Sequence, residues 1–363
     1  MGGHGGHRKQ CHQYPYTPLW QPKQQATQYF TRDHDNWHTM KYPRGFSLVE
    51  LLIAIVIGLF LIAATFSVLG ISSASVRSTG QMTQLQEAAR LALRLLEEDL
   101  TQAGFFADLS AIDLSPNTNT TLHGSASGVD CVGGGRNNST FPNGIGHFRT
   151  LWAARRGSQP AISCETAAIE GSEVLQLKRL RGNVVTDTLV SDRVYGLLNL
   201  NELHFFTGEQ VAPAIAGGRI YEYQHRVYYV KQNANSIPTL YRHSLSSTAL
   251  MGVAEPLVEG VEMMRFEFGI DINGDSAVDA YLKTSDVTDS LWDQHRDAEI
   301  ISVQVHLLLR AFQQDSAFKA GVTRTYPMPG GTVSVPDDGY RRKQVSTTVV
   351  IRNPWLNTAR ETL

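Results

Sequence analysis

Cysteine is scarce in this chain, and so is any imbalance of charge. Three cysteines stand among 363 residues, which excludes a disulfide-dense scaffold of the small secreted kind. Thirty-two basic side chains face 34 acidic ones for a formal net charge of −2. No basic excess is present to neutralise phosphates, so nucleic acid is not a bulk electrostatic partner. Catalytic patterns are missing too. There is no nucleophile elbow, no zinc-spaced histidine pair and no acid/base pair tied by spacing, so the chain does not read as an enzyme. Gly133-Gly134-Gly135 lacks the Lys-Ser/Thr that completes a phosphate loop. Asp286, Asp289 and Asp293 read as a solvated loop. His225 and His306 fall within apolar strands, where a hydrogen-bonded structural histidine is expected.

What the chain does have is one long apolar run. From Leu51 to Ile71 it carries no charged side chain, and only Thr65 and Ser67 interrupt it. About 20 such residues in a helix cross a bilayer core of roughly 30 Å. A helix apolar on every face belongs in a membrane or in a large core. Glu50 stands at the entrance, where a carboxylate is unfavourable unless it is paired or lies at headgroup level near the positive end of the helix dipole. Lys41 and Arg44 precede the run, and the next basic residue after it is Arg77. The positive-inside rule therefore places the short N-terminal side in the cytoplasm and the bulk of the chain across the membrane.

Gly45-Phe46-Ser47-Leu48-Val49-Glu50 resembles the prepilin signature of type IV pilins and type II secretion pseudopilins. In that family a peptidase cuts after the glycine, the new N-terminal phenylalanine is N-methylated, and a glutamate four residues on is kept. The resemblance implies cleavage between Gly45 and Phe46, methylation of Phe46, and pairing of Glu50 with the N-terminal amine of a neighbouring subunit. Residues 1–39 are polar and aperiodic, and His4, His7, Cys11 and His12 make only a weak metal tract. Translation from Met40 gives the short basic leader Met40-Lys41-Tyr42-Pro43-Arg44-Gly45 usual for the family. Residues 1–45 are therefore expected to be a leader absent from the mature protein.

Past the membrane segment, placed at 46–71, the helix is expected to continue to about residue 104. Met82, Leu85, Ala89, Leu93, Leu96 and Leu100 recur every three or four positions. Gly104 is a stop signal, and the weak helix formers around Gly80 predict a bend there. Local melting there is the alternative to a bend, and the whole helix is on the order of 85 Å long. Residues 105–170 read as loop-rich. From 171 to 363 the pattern turns to strands, the strongest being Tyr221–Val230, followed by a hairpin through Asn233-Ala234-Asn235. The fold class is α+β: a long N-terminal transmembrane and filament-core helix packed on an antiparallel β-sheet head. Cys131 and Cys164 are the cysteines beyond the membrane segment. If the head is extracytoplasmic, they meet an oxidising compartment and form a natural pair.

Arg90 through Phe106, which holds Glu97-Glu98-Asp99-Leu100 and then Ala103-Gly104-Phe105, is similar to the end of the long helix in PilW-type minor pilins. Tyr340-Arg341-Arg342 to Asn353 is similar to that family's closing strand. Cleavage after Gly45 leaves 318 residues, more than the shorter heads usual in the J-type pseudopilins, which are the alternative reading. The resemblance implies a minor pilin that primes or initiates a type IV pilus near its tip. Its partners are other minor pilins, the major pilin, the prepilin peptidase, an inner-membrane assembly platform and lipid. Its location is the bacterial inner membrane and then the pilus. An anchored adhesin or enzyme is a weaker reading.

One stretch resembles a cation loop. Asp271, Asn273, Asp275 and Asp279 occupy alternating positions of a calcium loop. Ser276 replaces its glycine, and Leu282 stands where a bidentate glutamate belongs. Weak Ca2+ binding and a plain polar turn both fit.

Overall fold

A computed structural model describes residues 45–353, apart from 110–112, 125–126, 294–297, 316–317 and 319–322. The leader, the Met40 start, Lys41 and Arg44 and the His4–His12 tract lie outside the described residues. The chain divides into two units, one ending at Ala63 and the other running from Ala64.

Helix α1 spans Leu48–Leu100 without interruption. The Ser72–Gly80 stretch does not melt: it stays helical, each weak former outvoted by the helix on either side. In the first unit its apolar side chains are uncovered. Phe46, Leu48, Phe60 and Leu61 are all exposed, and none of the most apolar 18-residue window is buried.

In the second unit the helix becomes amphipathic. Leu85, Ala89, Ala92, Leu96 and Leu100 are buried at the predicted spacing, whereas Met82 is exposed. Gly104 closes the C-terminal turn at φ +73° and donates its N–H to the Lys178 carbonyl. A left-handed residue here ends the helix and hands the chain to the sheet.

The strands follow in order: β1 Thr120–Leu122, β2 Leu151–Arg155, β3 Glu173–Val184, β4 Val194–Leu198, β5 Leu203–Thr207, β6 Arg219–Gln232, β7 Pro238–Ser244, β8 Ala254–Glu259, β9 Val261–Asp271, β10 Ala280–Lys283, β11 Glu299–Arg310, β12 Arg324–Tyr326, β13 Val333–Val335 and β14 Arg342–Val350. They form the largely antiparallel β-sheet head expected, divided between sheets. The first sheet runs β1-β5-β4-β6-β3-β2 with β7 and β8 added on β6, and β1 pairs parallel to β5. A second, antiparallel sheet runs β10-β9-β11-β14, and β12 and β13 form a small hairpin.

The two sheets meet where β8 passes into β9. Gly260 makes that passage at φ +87°, and a Cβ there would stand 2.9 Å from the Arg310 carbonyl oxygen. Only glycine combines that conformation with so close an approach. The predicted Asn233 turn joins β6 to β7, with Asn233 Oδ1 accepting from the N–H groups of Asn235 and Ile237.

Register assigns the faces. In β3–β6 pairing, Leu177 lies opposite Arg226 and Leu175 opposite Tyr228, and this face meets α1. Lys178 lies opposite His225 on the other face, which the 105–170 segment covers. That segment is therefore a packed layer of the head. Phe106, Leu109 and Phe148 join Leu180, Phe205 and Tyr223 in a buried cluster, and the segment contributes β1 and β2. It lacks periodicity because its backbone is satisfied by side chains. Asn137 Nδ2 donates to the carbonyls of Leu114 and Gly146, and Asn119 Oδ1 accepts from the Ser115 N–H.

Candidate functional site: the first turn of the helix and a buried carboxylate at its far end

The first turn of α1 is built by its own sequence. Ser47 precedes the helix, and its Oγ accepts from the Val49 N–H at 3.3 Å. Glu50 Oε2 reaches back to accept from the Ser47 N–H at 3.4 Å. This reciprocal pairing is a capping box, and Ser-Leu-Val-Glu spells its signature. Gly45 and Phe46 lie just outside, both exposed. The Gly45–Phe46 bond is thus exposed just ahead of the helix start, and the Glu50 carboxylate is turned back toward that end. The two hydrogen bonds are long and solvent-exposed, and such bonds are weak.

At the other end, Asp99 lies on the buried face of α1, 2% exposed. Arg226 Nη1 donates to both of its oxygens, at 2.5 and 2.7 Å. Arg179 Nη2 donates to Oδ1 at 2.9 Å, and the Tyr228 hydroxyl donates to Oδ2. Burial pushes this carboxyl up, but the Arg226 hydrogen bonds and charge, with Tyr228 and Arg179, outweigh it and hold it below its ordinary 3.8. Arg226, despite burial, is held above its ordinary value by Asp99, whereas burial leaves Arg179 below its own. Arg226 is accordingly the principal partner. The cluster ties the amphipathic half of α1 to β3 and β6. The signal in the sequence is an acid three residues after Leu96 and seven after Ala92, on the apolar stripe.

Cys131 and Cys164 form a disulfide with Cα atoms 4.7 Å apart. It staples the layer that covers the first sheet. Within the loop it closes, Arg149 is 1% exposed. Its Nε donates to Asp293 Oδ1 at 2.6 Å, and its Nη2 to Asp289 Oδ1 at 2.8 Å. Burial lowers the guanidinium pKa, and these two carboxylates more than restore it. Asp289, read as part of a solvated loop, is indeed exposed, and it and the half-buried Asp293 are also partners of a buried arginine. Their partner lies 140 or more residues away, which no local pattern reveals.

His225 is buried between Gln176 Nε2 at 2.9 Å and Thr140 Oγ1 at 3.0 Å. Glu173 is buried as well, and desolvation raises it to about 7 even though Thr284 and the Phe266 N–H donate to it.

The loop between β9 and β10 is closed on itself. Asp271 Oδ1 accepts from the N–H groups of Asn273 and Gly274, and Oδ2 from Ser276. Asp279 Oδ2 accepts from Ile272, and Asn273 Oδ1 from Asp275. Among the described residues no three His, Cys, Asp or Glu side chains come together as a metal group. Asp271, Asn273, Asp275 and Asp279 serve the turn.

A processing motif exposed at the head of an uncovered apolar helix, with a β-sheet domain behind it, defines a type IV pilin-like protein. Residues 40–66 match the prokaryotic N-terminal methylation motif, and residues 227–353 match the family described as Type IV Pilus-assembly protein W. The chain is thus similar to PilW-type type IV pilins over the stretch from within β6 to just past β14. Among solved structures, a type IV-like pilin from Thermus thermophilus is 14% identical, covering 74% of this chain and 96% of its own, with a TM-score of 0.33. No curated protein matches the chain.

Proposed function

We propose that the protein is a minor pilin, cleaved after Gly45 and methylated on Phe46, that helps to initiate assembly of a type IV pilus near its tip. The observation that carries this reading is the uncovered apolar helix directly behind the processing motif. Such a surface needs lipid before assembly and the helices of other subunits afterwards. The head would lie in the periplasm, with the N-terminus in the cytoplasm until it is cut. Other minor pilins, the major pilin and an inner-membrane platform are the partners this implies.

In a filament core of low dielectric, Glu50 and the amine of a neighbouring Phe46 attract far more strongly than in water. Glu50→Ala is expected to leave cleavage intact and to reduce the protein's share of sheared filaments at least tenfold, read by quantitative immunoblot. An unchanged share at unchanged pilus number would refute this role for Glu50.

A further inference from the structure

Lys178 on β3 has no exposed surface. Its Nζ donates to Asn138 Oδ1 at 2.8 Å and to the Arg149 carbonyl at 2.9 Å, and the Phe148 ring centroid lies 4.4 Å away. Among the described residues no carboxylate reaches this amine within 4 Å. An unpaired ammonium is not stable in such a place. Burial drives the group to its neutral form, far below the ordinary 10.5, with Asp130 opposing and the Arg149 charge reinforcing the shift. A neutral amine has two N–H donors and one lone pair. Both donors are engaged here, and the lone pair remains available. A desolvated lysine of this kind is a nucleophile.

The carboxamide it touches is equally fixed. Asn138 is 1% exposed, and its Nδ2 donates to the Gly134 carbonyl at 2.8 Å. The three glycines make room for it. A Cβ on Gly133 would stand 2.4 Å from Asn138 Nδ2, and one on Gly135 would stand 2.2 Å from Arg149 Cζ. The glycine run lets the backbone wrap closely around the Asn138 and Arg149 side chains. Two reacting groups held in van der Waals contact and sealed from water gain the rate advantage of an intramolecular reaction.

We propose that Lys178 and Asn138 become joined by an isopeptide bond once the head has folded. Rotation about the last bond of the lysine turns the lone pair onto Asn138 Cγ. The Nζ–Cγ bond forms, the Cγ–Nδ2 bond breaks, and a proton leaving Nζ passes to Nδ2, which departs as ammonia. No oxidant or co-reactant is consumed. The product is an amide between β3 and the layer that covers it. Because Asn138 lies inside the loop closed by Cys131 and Cys164, the two cross-links together would fasten that layer at both ends. This suits a subunit that bears tension along a filament.

The test is a tryptic map of the full-length protein, extracted in detergent and reduced. Cleavage after Lys178 should be lost, and peptides 137–149 and 157–179 should appear as one branched species, lighter than their sum by one ammonia, about 17 Da. Recovery of linear 137–149 and linear 157–178, the product of cleavage after Lys178, would overturn the proposal. In Asn138→Ala cleavage after Lys178 should return, and this readout does not require the variant to fold. A Lys178 branch that persists in that variant would also overturn it.

Discussion

Asp99→Ala is expected to destabilise the head by roughly 3–5 kcal/mol, the cost of stranding buried cations whose carboxylate has been removed. The midpoint of thermal unfolding should fall on the order of 10 °C. Arg179 and Arg226 would face each other across β3 and β6 with no charge between them, and Tyr228 would lose its acceptor. Asp99→Asn keeps the shape and one acceptor and should cost less. The effect also has a definite pH dependence. Because the folded-state pKa of Asp99 lies below its ordinary 3.8, the native state binds fewer protons than the unfolded chain. Its contribution is present above that value and lost as pH falls through the lower, folded one. The wild type should therefore lose its advantage over Asp99→Ala in acid, and urea unfolding of the two at pH 7 and at pH 3 checks this. Equal stability at pH 7 would show that the helix is held by its apolar stripe alone. Under the proposed function the consequence reaches assembly, since α1 carries both the uncovered apolar run and the buried face that packs on the sheet.

Replacing Cys131 and Cys164 by serine together should lower stability by roughly 3–4 kcal/mol in the chain-entropy view of a loop this long. The closed loop separates its ends by 33 residues. It contains Asn137, Asn138 and Thr140, all buried and each bonded to the sheet or to the layer's own backbone. Between Cys131 and Phe148 the layer is held mainly by polar contacts, so it should open before the strands beneath it. Hydrogen exchange of residues 129–165 should rise well above that of β3 and β6 in the double variant. Wild-type protein under reducing agent should behave the same way. A layer that stays as protected as β3 would mean that its polar contacts suffice.

How much of this was legible in the sequence depends on the range of the interaction. Helix α1, its buried stripe, the Gly104 stop and the long strands are periodic over many residues, and periodicity is a local property. Strands β4, β8 and β10 are short and carry no clear alternation, so they became visible only through their neighbours. The split into two sheets turns on Gly260, a single residue whose role depends on a carbonyl 50 positions later. Gly45, Phe46 and Glu50 lie in a linear stretch that matches the N-terminal methylation motif, and such a stretch is readable from sequence. The Ser47–Glu50 capping box was spelled there as well, under the louder prepilin signature. Asp99 and Arg149 belong to a different class. Each is a buried charge whose partners come from distant strands or loops, and sequence alone shows only that an ion stands on an apolar face. The Asp271–Asp279 loop shows the converse. Oxygen ligands at alternating positions suggest a cation, yet the same side chains close an Asx-rich turn on their own backbone.

The central claim is that this chain is processed at Gly45 and built into a filament. Mass spectrometry of the N-terminal peptide of the protein in sheared, purified filaments tests it most directly. The account predicts a peptide that begins with N-methylated Phe46. A filament fraction without the protein, with only uncleaved chain in the membranes, would contradict it.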